Sequence, residues 1–221
     1  MKFYESGDNR KPVIFLFPGT CCLYNSFDHV LDGLYSYFYT VAVSYDGFDP
    51  NEKTEFYSME DECEKIEQEI RTKYGGRIKA AYGCSLGGSF VSLLIQRKRI
   101  HIDHGIIGSS DMDEAGNLVA KIQASMVVPF MYKMIHTGAL PKFMQKKLNK
   151  TDEVKKELYN GFLNMFGIGK GGCPWITKQS IYNQFYSDLV TKVQHGIDVP
   201  GTTIHVFYAT KMGEKYEKRY C

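Results

Sequence analysis

The chain has 221 residues, 43% of them hydrophobic and 24% charged, with a formal net charge of +2 at pH 7. That length carries one domain with a full core and room for an inserted subdomain. With so small a charge, nothing points to nucleic acid or an anionic membrane surface. "MKFYESGDNRKP" has no apolar stretch of the kind a secretory leader needs, and "ASMVVPFMYKMI" is broken by Pro129 and Lys133, short of a membrane span. The six cysteines (Cys21, Cys22, Cys63, Cys84, Cys173, Cys221) form no C-x-x-C pair. They read as free thiols in a reducing compartment, and the protein is expected to be cytoplasmic.

In chain order, "PVIFLFPGT" (12–20) is a continuous apolar run closed by Pro-Gly, the pattern of a strand buried on both faces. Residues 23–38 place Leu23, Phe27, Val30, Leu31, Leu34 and Phe38 at helical spacing, and "YTVAVSYDG" (39–47) is a second buried strand. "SMEDECEKIEQEIRTKYGG" opens on Ser58 with acids behind it and stops at Gly75-Gly76, a helix with both end signals. A third strand follows at 77–82, then the helix "LGGSFVSLLIQRK", then a fourth strand at 102–110. Strands alternating with helices predict an α/β fold with a mostly parallel sheet and crossover helices.

Between 111 and 200 no strand is predicted. Four helical stretches, the third capped by Thr151, read as a helical insertion that leaves 1–110 and 201–221 as the core, and "TTIHVFYAT" (202–210) returns to strand. "GIGKGG" (167–172) matches a dinucleotide-loop pattern but opens no strand-to-helix turn, so it reads as a loop. The tail "KMGEKYEKRYC" carries acids among its lysines and reads as a solvated face.

"YGCSLGGS" puts Ser85 between Gly83 and Gly87 where the third strand ends and a helix begins. That is the setting of a G-x-S-x-G nucleophile elbow. A bend this sharp strains the serine, and side chains two residues either side would strike neighbouring backbone, so both positions want glycine. The hydroxyl is expected at the carboxyl end of the sheet, facing the amino end of a helix that favours developing negative charge. An oxyanion needs two backbone donors. Leu86 supplies one, and Thr20 or Cys21, after the first buried strand, supplies the other.

On "VIFLFPGT", "YGCSLGGS", the strand grammar and the helical insertion, the chain resembles the α/β-hydrolase family over nearly its whole length. "PGT" stands where the more familiar members have His-Gly. The resemblance implies a serine hydrolase acting on a small ester, thioester or amide, with the insertion as a lid and with acid and histidine following the serine. It implies no metal and no cofactor. The expected partner is a small acyl substrate, not nucleic acid or a membrane.

The implied histidine is not where the pattern puts it. His29, His101, His104, His136, His195 and His205 are the histidines, and none follows the last strand. His101 and His104 open a strand at the wrong end of the sheet, His195 precedes one, and His205 lies within one. His136, in the insertion, is the one that a lid brings towards Ser85. The expectation is a chain that stops short of a further strand, a histidine and a closing helix. For the acid, Asp111 and Glu214 are the candidates, with Asp113 a third; the position nearest the family's own is Met212, which cannot serve. Asp46 and Phe130 are further candidates for the substrate pocket, with the aromatic and methionine side chains of the insertion suggesting an apolar acyl group. Three functions stay open: a hydrolase, an acyltransferase on the same serine, and a binding protein that lost its base.

Overall fold

The computed structural model describes residues 1–110, 114–150, 152–166 and 171–207. The apolar runs form β2 (Val13–Phe17), β3 (Tyr39–Ser44), β4 (Arg77–Cys84) and β5 (His101–Gly108), and the returning strand is β6 (Thr203–Phe207). A strand the apolar runs do not announce, β1 (Lys2–Ser6), pairs antiparallel with β3. Its KFYES sequence is half-buried almost throughout, which is the composition of an edge strand. The sheet order is β1-β3-β2-β4-β5-β6, and every pairing except β1 with β3 is parallel. The fold is therefore α/β with a mostly parallel sheet.

The pleat divides the core in two. Phe15 and Phe17 of β2 point to one face, with Ile66 and Ile70 of α2 (Met59–Tyr74) and Phe90, Val91 and Leu94 of α3 (Leu86–Arg97). Ile14 and Leu16 point to the other, with Phe27 just before α1 (Asp28–Tyr35) and Leu31 and Leu34 on it. Burial on both faces explains the unbroken apolar runs. α2 ends as its sequence requires: Ser58 Oγ accepts the Asp61 N–H at 3.1 Å, and Gly75 takes a left-handed φ of 64°.

Between β5 and β6 lie α4 (Asn117–Thr137), α5 (Lys142–Asn149), α6 (Glu153–Asn164) and α7 (Lys178–Val190). The Thr151 cap and part of the 167–172 loop lie outside the described residues. α4, the first of the helical stretches expected here, runs through Pro129 as one helix; against the expectation of a run short of a membrane span, it is long and apolar enough by length and composition to cross one. In this fold it instead lies against α7 through Ala120, Ala124 and Val128, which are buried.

Two carboxylates of α2 are fully buried. Glu67 receives the Arg97 guanidinium at 2.6 Å and 3.2 Å, a bidentate pair tying α2 to α3. Glu62 accepts the Asp46 N–H at 3.0 Å and shares the Lys65 ammonium with Asp46 and Asp61. Burial, and then the nearby Asp46 charge, push the Glu62 carboxyl up to about 7. The folded protein therefore holds a proton there that the unfolded chain has already released, so stability is full below the ordinary carboxyl value of 4.5 and falls as the pH rises towards 7. The fall is at most about 3 kcal/mol. Urea denaturation between pH 4.5 and 7 is expected to show it, and Glu62→Gln is expected to flatten it; an unchanged slope in that variant counts against a titrating Glu62.

Candidate active site

β4 delivers the chain to a bend at Ser85, whose backbone has φ 54° and ψ −122°, well away from the regions L-residues favour. Two close approaches hold it. A methyl carbon at Gly83 would overlap the carbonyl oxygen of Gly87, and one at Gly87 would overlap that of Phe17. Gly88 is the next constraint, since a methyl carbon there would fall 2.7 Å from Ser110 Cβ. The Ser85 N–H donates to Gly108 O at 2.9 Å, fixing the bend to the neighbouring strand. The side chain is exposed and Leu86 behind it is buried, so the hydroxyl stands out at the carboxyl end of β4. Leu86 is the first residue of α3, where a helix leaves its N–H groups unpaired.

The loop after β2 meets the bend. Gly19 lies so close beside it that a methyl carbon at this position would sit 3.5 Å from Ser85 Cβ. Residues 19–22 form a turn closed by Cys22 N–H donating to Gly19 O at 3.0 Å, with Cys21 at a positive φ of 59°, the type II requirement met without glycine. The Cys21 N–H is committed: it donates to Gln184 Oε1 of α7 at 2.7 Å, and both residues are buried. Of the two donors expected from this loop, Cys21 is therefore excluded, and Thr20 remains beside Ser85.

A cleft of about 430 Å³ opens over Ser85, lined by Thr20, by Gln123, Ala124, Met126 and Val127 of α4, and by Phe185, Asp188 and Leu189 of α7. Nearby thiols are not competing nucleophiles. Burial pushes Cys22 up to about 12 and raises Cys84 as well, so both stay protonated.

The three residues expected to border the pocket lie elsewhere. Asp46 is buried in the Lys65 network, because the turn after β3 folds back onto α2. Phe130, 40% exposed, is one helical turn past the cleft. His136 lies against Tyr132 with ring centres 5.0 Å apart and the planes tilted by 35°, and its buried Nδ1 has no partner. His101 is beside Asp103 at 3.3 Å, at the far end of β5, roughly 25 Å from the bend by strand rise. His104 and His205 hydrogen-bond each other at 3.2 Å across β5 and β6, and His29 and His195 are exposed. Among the described residues, no histidine lines the cleft. Asp111, Asp113 and Glu214 lie outside the described residues.

Gln184 and Asp188 did not stand out in the sequence as site residues. Their signal is a pair of polar residues at i, i+4 on a helix whose neighbouring Ile181 is fully buried.

No protein-family model and no curated protein matches the chain. Solved structures do. An α/β-hydrolase family protein from Desulfitobacterium hafniense superposes with a TM-score of 0.64 at 14% identity, over 99% of this chain and 98% of that one. A study of carboxylesterases from the thaumarchaeon Nitrososphaera gargenis gives a structure at TM-score 0.69 and 13% identity, covering 99% and 80%. The enol-lactonase of Burkholderia xenovorans LB400 gives 0.63 and 11%, covering 99% and 94%. The chain has the α/β-hydrolase fold.

Gly83→Ala and Gly87→Ala are each expected to lower stability by about 3 kcal/mol or to prevent folding, since the obstacle is backbone that cannot move aside; a melting temperature within 2 °C or so of the parent protein would show the bend to be more open than described. Gln184→Leu strands the Cys21 N–H and is expected to cost about 1–3 kcal/mol, read by urea denaturation.

Proposed function

We propose that the protein is a serine hydrolase that cleaves a small ester, thioester or amide through an acyl-enzyme on Ser85, with α4 and α7 as the lid. One observation carries the reading: Ser85 is held at φ 54° by backbone contacts that only glycines permit, with its hydroxyl facing a cleft. Strain of this kind persists where a function maintains it. Support also comes from the solved structures of like fold, among them carboxylesterases and a lactonase.

The chemistry follows from the parts. Ser85 Oγ attacks the acyl carbonyl, forming the Oγ–C bond and moving the carbonyl electron pair onto oxygen. The Thr20 and Leu86 N–H groups face that oxyanion, and each is worth about 3 kcal/mol to it. Collapse expels an alcohol, thiol or amine, which leaves with a proton, and water then cleaves the acyl-serine ester. Ala124, Met126, Val127, Phe185 and Leu189 suit an apolar acyl or aryl group.

The hydroxyl proton needs an acceptor. Asp188 is the one acidic or basic side chain among the cleft residues. A carboxylate is a far weaker base than imidazole towards a hydroxyl, so turnover is expected to be slow. Asp111 and Glu214 keep their place as the acids of a triad, for which no described histidine is the partner. A second reading, binding of an acyl compound without turnover, is favoured by the absence of histidine from the described cleft residues. Passing the acyl group to an alcohol or amine instead of water uses the same intermediate. The free thiols of Cys21, Cys22, Cys63, Cys84 and Cys173 support a cytoplasmic setting.

Nitrophenyl esters of increasing acyl length test the reading. Slow hydrolysis is expected, about tenfold or more slower in Ser85→Ala and about a hundredfold slower in Asp188→Asn. Equal rates in the parent and Ser85→Ala proteins would refute the hydrolase. Undiminished ligand binding with no turnover in any form would establish the binding protein.

A further inference from the structure

We propose that α4 and α5 form a docking surface for an anionic lipid layer, with α4 lying along the headgroup boundary. This goes beyond the reading of Ser85 and does not depend on it.

The first observation is the free side of α4. Leu118 is 72% exposed, Ile122 52%, Met126 75% and Phe130 40%, and they follow one another at i, i+4 steps, with Val119 beside them at 49%. Ala120, Ala124, Val128 and Ile135, all buried, occupy the opposite side of the helix. α4 thus rests on the protein along a narrow seam and turns a row of large apolar side chains to solvent. A contiguous apolar row of this length marks an interaction surface.

The second observation is charge, and it says what the surface meets. From Ala115 to Lys150 the chain carries Lys121, Lys133, Lys142, Lys146, Lys147 and Lys150, and no aspartate or glutamate. Lys121, Lys133, Lys142, Lys146 and Lys150 are exposed. Lys133 stands in the apolar row itself, where a long stem lets an ammonium reach the headgroups. The whole-chain charge of +2 hides this concentration, because α2 alone holds Glu60, Asp61, Glu62, Glu64, Glu67 and Glu69. Apolar anchors with lysines among and after them are the pattern of a helix that lies in a lipid interface, and the acids Asp111, Asp113 and Glu114 before α4 and Asp152 and Glu153 after Lys150 bound the basic stretch.

The buried seam decides against a spanning arrangement. A helix crossing the bilayer would leave its seam on α7, stripping cover from buried Ala120, Ala124 and Val128. Because Met126 and Val127 also line the cleft over Ser85, a layer held against α4 borders the cleft.

Vesicle sedimentation of the Ser85→Ala protein separates this proposal from any question of catalysis. Vesicles containing phosphatidylglycerol are expected to bind at least ten times more tightly than phosphatidylcholine alone, with the advantage falling as salt screens the lysines. Leu118→Glu with Ile122→Glu, and separately Lys142→Glu with Lys146→Glu, are each expected to weaken binding tenfold or more without changing the circular dichroism spectrum. The lysine pair is exposed, so it keeps the test open should the apolar pair unfold. No binding to phosphatidylglycerol vesicles, or binding that neither pair reduces, overturns the proposal. So does a concentration-dependent dimer that the Leu118→Glu, Ile122→Glu pair dissociates in a protein that ignores vesicles.

Discussion

The structure turns on a steric exclusion. At the end of β4 the backbone passes so close to α3 and to β2 that Gly83 and Gly87 have no room for a side chain. This fixes how the central strand meets its helix, and with it the angle at which α3 crosses the sheet. The residue between them is left with a conformation it would not choose, 54° in φ. Such a bend costs on the order of 1–3 kcal/mol. The surrounding packing offsets it: Phe90, Val91 and Leu94 bury the far side of α3, and the Ser85 N–H is taken by Gly108.

A second strained turn faces the first. Cys21 adopts a positive φ without being glycine, and Gln184 reaches across from α7 to take its N–H. One buried side chain thereby ties the loop after β2 to the helices between β5 and β6. The Thr20 amide is left beside Ser85 while its neighbour is spoken for. The cleft is consequently a joint product of three parts distant in sequence, and a change in α7 is felt at the loop after β2.

Much of the fold was legible in the chain. β2 and β3 are buried nearly throughout and so write themselves as apolar runs, β4 and β5 are buried over part of their length, and α2 carries a serine cap and a glycine stop that the structure uses. β1 was not legible, because an edge strand half-open to water has no apolar run to betray it. The helix across Pro129 was legible as well: α4 carries the proline on an exposed side and continues to Thr137. In the site, the Gly83-Ser85-Gly87 spacing pointed to a local bend, which local sequence encodes well. Gln184 and Asp188 depend on how α7 lies over the sheet, which no neighbouring residue records. Asp46 shows the same limit, since its position after a strand suited a pocket and its burial against Lys65 came from tertiary contact.

The central claim is that Ser85 presents a hydroxyl for acylation in a cleft whose described lining offers only a weak base, Asp188. Intact-mass spectrometry after exposure to a fluorophosphonate tests it most directly, with Ser85→Ala alongside. The account predicts a single adduct, mapped to Ser85, that accumulates over hours. An adduct that forms equally in Ser85→Ala would contradict the assignment of the nucleophile, and complete labelling of Ser85 within seconds would contradict the weak base.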